Sequence, residues 1–185
     1  MRRLRNILII VCLVGALPLW WRAQDVFAEM ERERRASALY SQGLTLHLKG
    51  RSAEAAHLFR QGIILAPLAV EIYGDLADAE FRQGHVDAAI QTYRGLLAIY
   101  PYTYFGGLYR EVGFIELRAG RNAEAREDFS RAVSLDPLDW HAFYLLGHAH
   151  RRLGDPAAAR EAWRRVLDLR PDFQPADEQI RGLGN

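Results

Sequence analysis

Three histidines that lie close together, His141, His148 and His150, are the residues of this sequence with the clearest capacity for metal chemistry. Imidazole nitrogens bind zinc, and a spacing of seven residues places His141 and His148 on one face of a helix. His150 points to another side, and a zinc site needs at least three protein ligands at bonding distance. We therefore interpret the three histidines as ordinary residues of the protein surface or of a binding groove, and we predict no metal site.

Three carboxylates, Asp75, Asp78 and Glu80, form the other group to consider, because paired carboxylates can act as general acid and base. Their spacing is that of solvation and capping on a helix surface. The sequence has no glycine-rich phosphate loop, no helical histidine pair with a glutamate, no haem attachment motif and no nucleophile elbow. We predict that the protein is not an enzyme and uses no cofactor and no small-molecule substrate.

Composition limits the remaining classes of function. The chain has 185 residues, of which 50% are hydrophobic, and a formal net charge of +1. A nucleic-acid-binding protein would carry a basic stripe, so we expect no nucleic acid among the partners. The single cysteine, Cys12, excludes an intrachain disulfide.

Four series of residues recur along the chain with one shared spacing of 34, then 36, then 34 residues. Because the four series keep the same register, including the longer middle interval, they indicate an internal repeat. They are the prolines Pro67, Pro101, Pro137 and Pro171, the glycines Gly50, Gly84, Gly120 and Gly154, the alanines Ala55, Ala89, Ala125 and Ala159, and the aromatics Phe59, Tyr93, Phe129 and Trp163.

These residue types predict pairs of helices. Each aromatic lies four residues after an alanine and so shares its helix face. Small residues at Gly43, Ala77, Gly113 and Gly147 would let one helix approach the next closely. Each repeated glycine stands where the first helix must end and suits a left-handed C-cap. Each proline cannot continue a helix, so it ends the second helix or opens the next turn. In the last turn, Asp139 is a candidate N-cap.

The period of 34 and the order of small, aromatic and proline positions resemble the tetratricopeptide repeat (TPR). The resemblance implies an all-α fold, a right-handed α-solenoid of four helix-turn-helix TPR units. The residues of the N-terminal segment, described below, predict a single transmembrane helix before it. The units would span 36–69, 70–103, 106–139 and 140–173, with a helical stalk over 23–35 before them and a short capping tail over 174–185. The sequence departs from the family pattern late in each first helix, at Leu46, Glu80, Glu116 and His150.

The resemblance also implies a concave groove lined by the first helices, where a partner protein binds. The positions that would face into it are Tyr40, Leu44, His47, Asp78, Phe81, Arg82, Arg110, Phe114, Arg118, His141, Tyr144, His148 and Arg151.

A row of four arginines in this set, Arg82, Arg110, Arg118 and Arg151, suggests that the bound segment carries acidic and apolar side chains. The alternative is that these arginines are solvated or pair with Glu71, Glu111 or Glu116.

The longer middle interval places two extra residues within 102–107, next to Tyr102, Tyr104 and Phe105. These three aromatics form a candidate contact loop for a partner. Alternatively, they wedge between the second and third repeats.

The first 22 residues form a separate segment, because an arginine-rich start precedes an apolar run from Ile7 to Trp21. We predict a signal-anchor that crosses the membrane over residues 4–23, with Arg5, Trp20, Trp21 and Arg22 at the interfaces. The arginines at the start favour a cytoplasmic N-terminus. The predicted location is a single pass in the bacterial inner membrane with the TPR domain in the periplasm, and the alternative is secretion to the periplasm after signal cleavage.

Two functions follow from this organisation. The first is a membrane-anchored scaffold or adaptor that binds a partner protein in the groove and assists assembly of a membrane or periplasmic complex. The second is a dedicated accessory subunit of one integral-membrane enzyme complex. A fixed stoichiometric partner would indicate the subunit, and variable partners the adaptor.

Overall fold

The computed structural model describes residues 2–99 and 106–184, with side chains from Arg22 onward. The described residues form helices and no strand, which confirms the all-α prediction. The helices are α1 (Arg2–Leu48), α2 (Ser52–Leu65), α3 (Val70–Arg82), α4 (Val86–Ile99), α5 (Gly106–Arg118), α6 (Asn122–Leu135), α7 (Trp140–Arg152), α8 (Pro156–Leu169) and α9 (Gln174–Gly182).

The first helix requires a correction to the predicted location. None of the described helices is both long enough and apolar enough to span a bilayer. The prediction of a single-pass inner-membrane protein with a periplasmic TPR domain is therefore wrong. The apolar run of the sequence is part of this longer helix, because α1 continues without a break into 22–35, where eight of fourteen residues are charged. Arg22 is exposed, whereas the side chains of Arg5, Trp20 and Trp21 lie outside the described part.

The chain divides into two compact units, the first ending at Ile72 and the second beginning at Tyr73. In the first unit α1 packs along α2. Phe59 of α2 is fully buried, and a Cβ atom added at Gly43 of α1 would lie 2.6 Å from its ring. The glycine therefore makes room for the aromatic side chain.

The second unit repeats this arrangement along a stack in which each helix from α4 to α9 packs on the next. Gly113 faces Phe129 in one pair, and Gly147 faces Trp163 in the following pair. Both aromatic rings are fully buried, as are Ala125 and Ala159, which precede them by one turn. The aromatic ring of the second helix thus fills a space that the glycine of the first helix leaves open.

The four repeated glycines end the first helices as the sequence predicts. Gly50, Gly84, Gly120 and Gly154 have φ between 76° and 81°, a left-handed conformation that side chains with a Cβ atom disfavour. After each glycine the chain makes the paired hydrogen bonds of a Schellman motif. In the third pair, for example, Arg121 N–H donates to the Glu116 carbonyl at 2.9 Å, and Gly120 N–H donates to the Leu117 carbonyl at 3.2 Å.

The C-terminal tail closes the apolar end of the second unit. Ala176 of α9 is fully buried in a cluster with Trp163 and Val166, and Ile180 packs against it. The opposite side of α9 carries exposed polar residues such as Glu178 and Arg181. α9 is therefore amphipathic, with its apolar side packed against α8.

Replacing Gly147 by alanine tests the close approach of paired helices. The added methyl group would overlap the Trp163 ring, whose Nε1–H donates to the Tyr144 carbonyl at 3.0 Å, so ring and hydrogen bond must shift. We expect Gly147→Ala to lower the free energy of unfolding by about 1–3 kcal/mol in urea denaturation. Gly95→Ala is the matched control, because nothing lies within 4 Å of a Cβ atom there and alanine favours a helix. Equal effects of the two substitutions would contradict the steric argument.

Candidate protein-binding face

The predicted groove residues of the second unit lie on its first helices α3, α5 and α7, and α5 contacts α7 directly. We call the exposed side of these three helices in the second unit the first-helix face. At its centre the Arg118 guanidinium lies 4.5 Å from the centre of the Phe81 ring and 5.7 Å from that of Phe114. The structure thus brings three predicted residues together in one cation–π cluster.

This cluster remains accessible. Phe114 keeps 39% of its surface exposed, and Arg118 is also exposed. A cation held over aromatic rings keeps its charge while losing side-chain freedom. Arg118 is therefore a pre-positioned positive charge beside an exposed apolar ring.

Two other arginines of the predicted row are neutralised by carboxylates. Arg82 donates to Asp78 at 2.7 Å, one turn away on α3. Arg110 donates to Asp139 at 2.5 Å and to Glu111 at 3.2 Å. Burial disfavours the charge of Arg110, but these two carboxylates outweigh it, and the pKa of Arg110 is raised. Pairing with Glu111 is one of the alternatives that the sequence left open.

Arg151 is placed like Arg118. Its guanidinium lies 5.7 Å from the centre of the Trp163 ring, and it donates to the amide oxygen of Gln179 at 2.5 Å. Among the contacts of the described residues, Arg118 and Arg151 meet aromatic rings and an amide, and neither pairs with a carboxylate. The row therefore divides into two arginines that pair with carboxylates and two whose positive charge is not balanced by a described carboxylate.

Aromatic residues of α7 form two pairs of ring contacts. His141 stacks on Trp140, and Tyr144 meets His148 edge to face at 4.6 Å between ring centres. Burial, followed by the charges of Arg151 and Arg152, lowers the pKa of His148 to about 4. His148 is therefore neutral near pH 7 and contributes an aromatic surface.

No cluster suited to a metal ion occurs among the described His, Cys, Asp and Glu side chains. The histidine nitrogen His150 Nδ1 lies 3.9 Å from Asp155. Of the three carboxylates considered above, Glu80 is buried and accepts a hydrogen bond from Thr92 at 2.8 Å. Its environment is that of a structural side chain.

The predicted groove residues of the first unit are placed differently. His47 is buried, with its ring 6.3 Å from that of Phe59, and Tyr40 lies 5.9 Å from the same ring. Leu44 is half-buried. His47 thus packs between the helices of its own pair. The candidate contact loop, with Tyr102, Tyr104 and Phe105, lies outside the described residues.

Sequence reasoning missed one polar cluster. Glu116 and Asp128 are buried together, and Arg94 reaches both, at 3.4 Å and 3.9 Å. The signal was a glutamate at a position where the family often has tyrosine, although its partners twelve and twenty-two residues away could not be identified from the sequence.

Comparisons with known proteins agree with this geometry. The family model described as tetratricopeptide repeat matches residues 49–103 and 115–172. A search of curated proteins gave no match.

Solved structures show the same fold. A structure of Pseudomonas aeruginosa pilF has 21% identity and a TM-score of 0.67, covering 83% of this chain and 69% of that one. YrrB, described as a TPR protein with an unusual peptide-binding site, has 18% identity and a TM-score of 0.64, with 79% and 74% covered. MamA from Desulfovibrio magneticus RS-1 has 20% identity and a TM-score of 0.62, with 75% and 77% covered.

Substitutions at Asp139 test how Arg110 is held. Asp139 caps α7 by accepting from Ala142 N–H at 3.0 Å, as the sequence predicts, and also pairs with Arg110. Asp139→Ala removes both interactions, so we expect a loss of about 2–3 kcal/mol in the free energy of unfolding. Asp139→Asn keeps a capping oxygen and should cost about 1 kcal/mol.

The control is Asp155→Ala in denaturant unfolding. Asp155 caps α8 through Ala158 N–H at 2.9 Å but is exposed, so its loss should cost about 1 kcal/mol. If Asp139→Ala and Asp155→Ala lower the free energy of unfolding by the same amount, the ion pair between Arg110 and Asp139 does not contribute to stability.

Proposed function

Since this chain belongs to the tetratricopeptide repeat family, whose members are generally protein–protein interaction scaffolds, we propose that it binds a segment of a partner protein on the first-helix face of its second unit. The partner is a protein, and the proposal involves no chemical reaction, cofactor or nucleic acid. The description of YrrB as having a peptide-binding site, for a protein of the same fold, supports a peptide segment as the bound element.

The cation–π cluster of Arg118, Phe81 and Phe114 is the observation that carries this proposal. Arginine and aromatic residues dominate the binding energy of protein interfaces when they form a rigid, partly desolvated centre. Here the guanidinium joins residues from α3 and α5, so its position is set by two helices. A segment that docks on it gains a charge contact without the entropy cost of ordering a free arginine.

The chemistry of the segment follows from the charges on this face. Arg82 and Arg110 already pair with carboxylates, whereas Arg118 and Arg151 contact aromatic rings and an amide. An acidic side chain of the partner would complete a charge-assisted hydrogen bond at each of the latter two. The exposed Phe114 ring, next to Arg118 on α5, offers an apolar contact. We infer a segment with an apolar side chain between two carboxylates.

The remaining predicted residues of this face have supporting roles in the proposal. Tyr144 and His148 extend the aromatic surface towards Arg151, while Asp78 holds Arg82 and would repel a misplaced carboxylate. His141, stacked on Trp140, lies at the start of α7. The groove positions of the first unit, Tyr40, Leu44 and His47, stay a prediction from the sequence.

Selection from a displayed library of random peptides, with the full chain as bait, tests the proposal. We expect selected peptides to be enriched in Asp and Glu around an apolar residue. Arg118→Met should weaken their binding roughly tenfold or more in isothermal titration, because a charge-assisted hydrogen bond contributes about 1.5–3 kcal/mol.

Arg164→Met is the matched control, since Arg164 is an exposed arginine on the second helix α8. The selected peptides should bind this variant with the same affinity as the unmodified chain. A library that yields no acidic preference, or peptides whose affinity falls equally with Arg164→Met, would rule out the first-helix face as the binding site.

A further inference from the structure

A buried carboxyl pair lies on the side of α5 that faces away from the proposed binding residues. Glu116 is two positions from both Phe114 and Arg118, so its side chain leaves the helix on a different face. Glu116 is 2% exposed and Asp128 of α6 is 5% exposed. Two carboxylates so far from water repel each other and are poorly solvated unless a cation or a proton compensates them.

The cation available to this pair is insufficient. Arg94 of α4 reaches Glu116 Oε1 at 3.4 Å and Asp128 at 3.9 Å, while half of its own side chain is exposed to solvent. Arg131 approaches Asp128 at 3.6 Å and is more exposed still. These distances are longer than those of a strong charge-assisted hydrogen bond, so each arginine compensates the buried charge only in part.

One oxygen of the pair has no donor. Glu116 Oε2 is buried and receives no hydrogen bond from an N–H or O–H group in the described part of the chain. Asp128 carries the neighbouring carboxyl group, because a single nitrogen of Arg94, Nη2, lies within 3.9 Å of both residues, and two carboxyl groups can hydrogen-bond only when one of them carries a proton. A proton shared between the two carboxyl groups gives Glu116 Oε2 a hydrogen-bonding partner and also removes the repulsion between two buried negative charges.

The pair also forms part of a junction between helices. Asp128 and Arg94 line a cleft of about 430 Å³ whose other walls come from α4, α5 and α6. The charged groups around the pair come from α4, from the turn before α6, from α6 itself and from α7. They are Arg94, Arg121, Glu124, Glu127, Arg131 and Arg152. The group from α7 is Arg152, which donates to the carbonyl of Leu117, the residue after Glu116.

We propose that Glu116 and Asp128 share a proton at neutral pH, that this proton joins α5 to α6 beside Arg94 of α4, and that its loss in alkaline solution loosens the junction of the three helices. The proton comes from solvent and returns to it. Above neutral pH both carboxylates are ionised, and the half-exposed Arg94 is left to hold two buried negative charges. This inference goes beyond the proposed binding function and does not depend on it.

The direction of the pH effect follows from the pair's titration. Burial, followed by the charge of Asp128, raises the pKa of Glu116 to about 7, while Arg94 acts in the opposite direction. Burial also raises the pKa of Asp128. In the pH window between the unfolded pKa of the glutamate, near 4.5, and its folded pKa, about 7, the folded chain binds more protons than the unfolded chain. The free energy of unfolding therefore falls as the pH rises through this window, and it stays lower above it.

Titration of the full chain labelled with ¹³C at the Asp and Glu carboxyl carbons tests the shared proton directly. We expect one apparent midpoint of the pair near pH 7, well above the unfolded value near 4.5. Midpoints below pH 5 for both Glu116 and Asp128 would overturn the proposal, whatever any variant does.

Thermal unfolding tests the effect on the junction. Between pH 6 and pH 8.5 the Tm of the unmodified chain should fall by roughly 4 °C or more, whereas Glu116→Gln, which replaces the shared proton by a permanent N–H donor, should flatten this dependence. Glu124→Gln, an exposed acid at the same cleft, should follow the unmodified chain. An equally steep fall for Glu116→Gln would contradict the proposal.

Amide hydrogen exchange then locates the change. Protection factors at pH 8.5 should be lower than at pH 6.5 in α4 and in the facing parts of α5 and α6, with α8 and α9 unchanged. A uniform loss of protection over all helices would show that the carboxyl pair does not act on this junction.

Discussion

The close contact between a small residue of one helix and an aromatic ring of the next is the interaction on which the repeated structure depends. Gly43, Gly113 and Gly147 each face a fully buried ring sixteen residues later, at Phe59, Phe129 and Trp163. In the second pair Ala77 and Tyr93 occupy the same positions and belong to one core cluster. A larger side chain at the small position would separate the helices, and a smaller ring would leave a cavity.

This contact determines which side of each helix stays exposed for binding a partner. The second helices α6 and α8 use their aromatic residues inside the pair, whereas the first helices α3 and α5 keep Phe81, Phe114 and Arg118 on the other side. The exposed cluster is therefore held by the same packing that buries Phe129. Members of the tetratricopeptide repeat family are generally protein–protein interaction scaffolds, and the chemistry of this face supports the proposal that this chain binds a protein segment there.

The sequence predicted those features that depend on local geometry. Glycine in a left-handed cap at Gly120, the Asp139 cap and the burial of Trp163 all follow from residue type and period, and the structure confirms them. The pairing of long charged side chains could not be predicted in the same way, because Arg110 reaches Asp139 across twenty-nine residues and several acids compete for each arginine. The buried pair of Glu116 and Asp128 could not be predicted from the sequence for the same reason. The predicted location was wrong, because none of the described helices is long enough and apolar enough to span a membrane.

The measurement that tests this account most directly is a crystal structure of the full chain bound to an acidic peptide obtained by selection. The account predicts that the peptide lies along α3, α5 and α7, with a carboxylate within hydrogen-bonding distance of the Arg118 guanidinium and an apolar side chain against Phe114. A peptide bound on the second helices α4, α6 and α8, with Arg118 still in contact only with its own aromatic rings, would contradict it.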